Sequence, residues 1–214
     1  LVASAYEAID GDGAVHAVVR PPADEARLRA VLPYHNPVCH STVTVRADVM
    51  RALGGYREPL RYSHDYDFLL RAAEKGRIAV VPEPLGRYRF HSDNVSTTRC
   101  VLQGAFAEIA RECAVLRARG EPEDLAERVR RVQAGAGLDE ARARARVHYQ
   151  IGEWKFRDGR VKEARPHLWT ALKAEPLRPM CVGLWLATWA PAWLRRLLAP
   201  VVRPVVALRY ATWR

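Results

Sequence analysis

A chain of 214 residues that is 49% hydrophobic and 27% charged has enough apolar material for a buried core, and too much for a disordered, collagen-like or low-complexity class. Lys and Arg outnumber Asp and Glu by 34 to 24. The excess is uneven: 13 basic and 12 acidic side chains leave residues 1–100 near +1, and the remaining 21 and 12 put +9 on the rest. A basic half of this kind meets nucleic acid or an anionic membrane face, or is only a solvated, Arg-rich helical surface. Cys39, Cys100, Cys113 and Cys181 lie far apart with no CxxC pair, which suits neither a zinc site nor a small disulfide scaffold and points to a reducing, cytosolic setting. The opening LVASAYEAIDGDG has neither a basic n-region nor a long apolar run, so it does not read as a signal peptide, and a first residue Leu1 is expected to be the interior of a longer protein.

In chain order, residues 1–20 predict two short strands, SAYEAI and AVHAVVR, joined by Asp10-Gly11-Asp12-Gly13, because alternating apolar positions flank a D-G turn. Asp10-x-Asp12 matches the acidic pair that holds a metal in many nucleotide-sugar enzymes, yet a hairpin turn selects Asp and Gly for backbone reasons alone, and the turn is the preferred reading. Pro21-Pro22 breaks the chain; a short helix is predicted over about 24–32, an extended segment over 33–37, and a β-rich run in VCHSTVTVR. ADVMRALGGYRE predicts one or two helical turns closed by Gly54-Gly55. A helix over about 64–75 places Phe68, Leu69, Ala72 and Ala73 on one side and stops at Gly76. RIAVVPEPLGRYRFH predicts a strand interrupted by prolines and followed by an extended segment.

After Cys100 the chain changes class. Apolar positions recur at helical spacing over 101–119 and 124–133, and Gly135-Ala136-Gly137 predicts a hinge. From Ala141 the spacing predicts a helix pair in which Gly152, Gly159, Ala164, Leu168, Ala171 and Pro176 fall at the offsets of a tetratricopeptide unit. Small residues there let two antiparallel helices approach closely; a single unit reads as a packing appendage more than as a peptide-binding solenoid. The tail from Pro179 has no charge as far as Leu194 and carries Trp185, Trp189, Trp193 and Trp213. It is short of the roughly 20 apolar residues needed to cross a bilayer. With Arg195, Arg196, Arg203 and Arg209 it suits a helix in the headgroup region, or else its tryptophans pack back as core. The expected divisions are therefore 1–100, a connecting helical part 101–140, the helix pair 141–178 and the Trp-rich basic tail 179–214.

The densest polar cluster is Ser63-His64-Asp65-Tyr66-Asp67 at a predicted helix start, eight residues after Gly54-Gly55. An acid there either serves the helix N-terminus or, with the His and Arg71 nearby, acts as a base on an attacking hydroxyl. A second cluster, Arg87-Tyr88-Arg89-Phe90-His91-Ser92-Asp93-Asn94, offers Arg for a diphosphate and His for a metal or phosphate. In order and spacing, NPVCHSTVTVRADVMRALGGYRE followed by SHDYDFLLRAAEKGRIAVVPEPLGRYRFHSDNVS resembles the second half of the catalytic domain of family-2 glycosyltransferases, which have the A-type glycosyltransferase fold. The likeness covers about 36–96, and IDGDG with its flanks carries it to the N-terminus.

The resemblance implies an α/β fold class, the C-terminal half of a nucleotide-diphospho-sugar transferase domain, followed here by an all-α helical extension. It implies inverting transfer of a sugar from a nucleotide-diphosphate donor to a saccharide or lipid-linked acceptor, in surface polysaccharide or glycan synthesis. Asp65 would be the catalytic base, with His64 standing where the family usually has Glu. Gly54, Gly55, Tyr56, His64 and Asp67 would line the acceptor side, Arg89 would face the donor diphosphate, and His91 would be a metal ligand. The cofactor would be a divalent cation, Mg or Mn, held mainly by a nucleotide-binding half that the resemblance places before Leu1. The competing expectation is a non-catalytic helical module that docks on an anionic membrane or a partner. The two combine in a cytoplasmic enzyme lying peripherally on the inner membrane face. Nucleic acid is not an expected partner, because no nucleic-acid motif accompanies the arginines.

Overall fold

The computed structural model of the chain describes residues 1–89, 94, 98–135, 140–157, 159–176, 179–191 and 193–194. It is mixed α/β, mostly helical, with a small three-stranded sheet, and it divides into two units, Leu1–Leu138 and Asp139–Arg214.

The first unit is built on β1 (Val2–Ile9), β2 (Val15–Val19) and β3 (Ala79–Arg89) in the order β2-β1-β3. Strand β1 runs antiparallel to β2 and parallel to β3. Being central, it buries consecutive residues Ala3, Ser4 and Ala5 where a strand with one wet face would alternate. The prolines of the third strand do not interrupt it. The pairing steps from Ser4↔Val81 to Ala5↔Pro84 and then to Tyr6↔Gly86, so irregularities absorb Pro82 and Pro84 on an edge strand, where a missing N–H is tolerated. Gly86 sits in a close contact: a Cβ there would lie 3.0 Å from the Thr42 methyl, so the threonine would have to give by a few tenths of an ångström.

The run VCHSTVTVR departs from the strand expectation. It forms a 3-10 turn over His40–Thr42 and contributes only an antiparallel bridge, Val2 to Thr44, with both backbone bonds at 2.8 Å. The hydroxyl of Thr42 donates to Cys39 O at 2.8 Å and accepts from Ser4 N at 3.3 Å, the side-chain competition that diverts Ser and Thr from a ladder.

Among the described residues of this unit are also helices α1 (Glu25–Val31), α2 (Ala47–Ala52), α3 (His64–Lys75), α4 (Cys100–Arg119) and α5 (Leu125–Gln133). Asp24 caps α1 by accepting from Arg27 N at 2.8 Å. The core joins Leu28, Leu69, Leu70, Ile78 and Val80 to Phe106, Ile109, Ala110, Cys113 and Val129. Helices α4 and α5, expected as connectors, thus supply a face of the first core. Two polar ties hold α4 to the start of α3: Ser63 Oγ donates to Gln103 O at 2.8 Å, and Gln103 Nε2 donates to Tyr62 O at 3.2 Å.

The second unit holds α6 (Glu140–Arg157), α7 (Val161–Ala174) and α8 (Pro179–Ala187) around a core of Tyr149, Ala164, Leu168, Ala171, Cys181 and Leu184. A Cβ on Gly152 would lie 2.7 and 2.8 Å from side-chain atoms of Leu168 and 3.1 Å from its backbone nitrogen, so the α6–α7 contact needs glycine there. Alanine would gain about 1 kcal/mol in helix propensity, against about 1–3 kcal/mol for overpacking. Gly152→Ala is therefore expected to destabilise this unit by up to about 2 kcal/mol, read as a lower melting temperature by circular dichroism; a melting temperature above the parent's would show that the helices part freely.

Candidate active site

Asp65 and Asp67 lie two residues apart at the start of α3 and meet opposite environments. Asp67 is fully buried. One oxygen accepts from Arg57 Nε and Arg71 Nε, both at 2.9 Å, and the other pairs with Arg57 Nη2. The Arg71 guanidinium goes on to donate to Leu53 O at 2.5 Å and Gly55 O at 2.8 Å. Those carbonyls belong to the turn that ends α2, where Gly54 and Gly55 both take left-handed conformations, with φ of 71° and 68°, the region open to glycine at least cost. Asp67 thus acts on the glycine loop through Arg71 and offers no exposed oxygen to an acceptor.

Arg57, from the same Gly-Gly-Tyr-Arg run, also pairs with Glu123 in the segment before α5, and Arg117 approaches Glu123 at 3.2 Å. Burial pushes the Glu123 carboxyl up, but the hydrogen bonds and charges of Arg57 and Arg117 outweigh it and hold the group below its ordinary value. A depressed carboxyl contributes stability above its unfolded pKa and loses that contribution as pH falls through the folded one. The first unit is accordingly expected to weaken below about pH 4.3, the ordinary glutamate value. Glu123→Gln should remove part of that loss, as read from urea midpoints compared at neutral and acid pH; an unchanged acid loss would place its origin elsewhere.

Asp65 is only partly buried and lines an open recess of about 240 Å³, mouth included, with Asn36, Val38, His40, Tyr56 and Phe68 among its walls. Its Oδ2 accepts a long hydrogen bond, 3.4 Å, from Asn36 Nδ2, whose Oδ1 is held by Val38 N at 3.0 Å. Around it the rings meet edge to face: Tyr56 lies 5.1 Å from His64, 5.3 Å from Phe68 and 5.5 Å from His40, centroid to centroid. His64 Nδ1 donates to Arg61 O at 2.7 Å, which fixes the tautomer and leaves Nε2 as the acceptor of the neutral ring. Burial, and then the charge of Asp65, pushes the Tyr56 hydroxyl above its ordinary pKa. Apart from its open mouth the recess encloses only about 10 Å³, room for about one water molecule, so a larger ligand would rest across the mouth, against the partly exposed Asp65 carboxylate.

Tyr56 and Asp65 therefore line the recess together, His64 packs on the Tyr56 ring, and Gly54 and Gly55 form the turn just before Tyr56, tied to Asp67 through Arg71. Arg89 lies apart from them. Strand β1 pairs from Val2↔Ala79 to Ile9↔Arg89, and Leu1 lines the recess, so roughly 25 Å of strand separates the two ends. Arg89 Nη1 donates instead to Asp10 O at 2.9 Å and Gly11 O at 2.6 Å. His91 lies outside the described residues. In the Asp10–Gly13 turn, Asp10 Oδ1 accepts from Asp12 N at 3.0 Å and Ala14 N at 2.9 Å, so the turn reading of Asp10-x-Asp12 accounts for that oxygen. With a guanidinium against the same turn, and no group of three or more His, Cys, Asp or Glu suited to a metal among the described residues, these residues do not form a ligand set for the expected divalent cation.

Asn36, His40 and Arg57 had no role assigned from sequence, although all three stand in the runs that carry the family resemblance. No charge count in the sequence finds Arg57, because Arg71 alone balances Asp67; the second guanidinium is balanced by Glu123, sixty-six residues away. No protein-family model, curated protein sequence or solved structure matches the chain.

Proposed function

We propose that the first unit is the acceptor-binding part of an inverting glycosyltransferase, with the finer fold that this implies, half of an A-type nucleotide-diphospho-sugar transferase domain. The observation that carries the reading is the contrast within one helical turn: Asp67 is consumed by two arginines, while Asp65 stands partly exposed in an aromatic-walled recess. An acceptor sugar would lay a ring face on Tyr56 and His40 and present a hydroxyl to Asp65. As that oxygen attacks the anomeric carbon of the donor, its proton passes to Asp65; the new C–O bond forms on the face opposite the diphosphate, which leaves with the old bonding pair. General-base help of this kind contributes about 10²–10⁴-fold. No part is assigned to Arg89. The Mg or Mn ion that the resemblance implies is assigned mainly to a half upstream of Leu1, and no step here runs through it.

The reading is tested by titrating the chain with simple saccharides while following the ring resonances of His40, Tyr56 and His64. Saturable shifts of these rings that Tyr56→Ala weakens support it. If no saccharide moves them, the recess is not an acceptor site.

A further inference from the structure

The second unit exposes an apolar surface that its core does not use. Trp169 is 45% exposed, Leu186 55%, Trp189 60% and Trp193 63%. Trp169 and Trp189 belong to one cluster, because each sits against the Trp185 ring, at 5.2 and 6.1 Å between centroids, and Trp185 packs on the helical core. Cations border this cluster. The Arg165 guanidinium stands 4.0 Å from the centre of the Trp189 ring and is fixed by donating to Thr188 O at 2.9 Å. On α7, Lys162, Arg165, Trp169 and Lys173 fall at i, i+3, i+7 and i+11 and share one face, with both lysines exposed. Glu163, about 100° around the helix, is engaged by Lys155 at 2.7 Å and Arg160 at 2.6 Å. From Pro176 to the end, the sequence contains Arg178, Arg195, Arg196, Arg203, Arg209 and Arg214 and no Asp or Glu.

We propose that this face docks the chain on an anionic lipid surface, with Trp169 and Trp189 at headgroup depth and Lys162, Arg165 and Lys173 against lipid phosphates. Tryptophan is the residue that suits a boundary with one apolar and one wet side, and basic side chains beside it add attraction to anionic headgroups. A second copy of the chain would set lysines against lysines, and a nucleic acid would leave Leu186 without an apolar partner. Among the described residues no helix is long and apolar enough to cross a bilayer, and the contact proposed is with the surface. It stands independently of the glycosyl-transfer reading.

The test is flotation of the whole chain with vesicles of phosphatidylcholine, alone or mixed with phosphatidylglycerol, at about 0.1 M and about 1 M salt, between which the Debye length falls from about 10 Å to about 3 Å. Binding to the anionic vesicles only, weakened about tenfold or more by the high salt, is expected. The same loss is expected in K162E/K173E and in W169S/W189S, each with its circular dichroism unchanged. The charge-reversal pair touches no core residue, so it keeps the test decisive if the tryptophan pair fails to fold. Equal binding to neutral vesicles, no binding at all, undiminished binding by K162E/K173E, or preference for a single-stranded oligonucleotide over vesicles would overturn the proposal.

Discussion

Asp65→Asn is expected to lower kcat by about a hundredfold or more, in the protein together with any residues its gene encodes before Leu1, while its melting temperature and the acceptor KM stay close to the parent's. The asparagine keeps the size of the side chain and a carbonyl oxygen for Asn36, but it cannot take the acceptor's proton. Little stability is at stake. Asp65 is partly exposed, its bond to Asn36 is long at 3.4 Å, and a charge in the first turn of a helix contributes about 0.3–1 kcal/mol. A large fall in kcat with a small change in stability separates a base from a structural acid, and turnover near the parent's would remove Asp65 from that role.

Asp67→Ala is expected to do the reverse, destabilising the first unit by about 3–5 kcal/mol, the usual cost of removing one partner from a buried ion pair. The carboxylate has no exposed surface and meets two guanidiniums. Without it Arg71 is left beside Arg57 with only the carbonyls of Leu53 and Gly55 and the Phe68 ring, 5.5 Å away, to face, although Arg57 keeps Glu123. For a unit of this size the loss corresponds to a fall of about 10 °C or more in melting temperature. Any loss of turnover should follow from the Gly54–Gly55 loop moving Tyr56, and should appear in the acceptor KM as well as in kcat. A melting temperature within a degree or two of the parent's would show that the arginines find other partners.

Much of this was legible in the sequence because the signals were local. The helix over 64–75, the two helices after Cys100 and the α6–α7 pair follow from apolar spacing, and Gly76 and Gly159 mark where two of them stop. The strand β3 was obscured because its prolines argue against a ladder; only the edge position and the irregular pairing with β1 make them harmless, and neither is visible in one strand's own residues. The run VCHSTVTVR misled in the other direction, since its β-branched residues favour a strand while the Thr42 hydroxyl bonds locally.

For the proposed site, the Ser-His-Asp-Tyr-Asp cluster points to the start of α3, and the resemblance assigns Asp65 as base and Asp67 to the acceptor side, but nothing in the sequence shows that Asp67 is buried. Asp65 and Asp67 are chemically alike, and which is spent on Arg57 is settled by burial. Arg89, which the resemblance assigns to the donor diphosphate, stands at the other end of β3 from the recess, a separation set by strand length and pairing with β1 that its own neighbours in sequence do not show.

The central claim is tested most directly by incubating the protein, with whatever its gene encodes upstream of Leu1, with a panel of nucleotide sugars and measuring the nucleoside diphosphate released with and without saccharide acceptors. The account predicts release that depends on both a donor and an acceptor and falls about a hundredfold or more in Asp65→Asn. No release from any donor, or release that Asp65→Asn leaves unchanged, would contradict it.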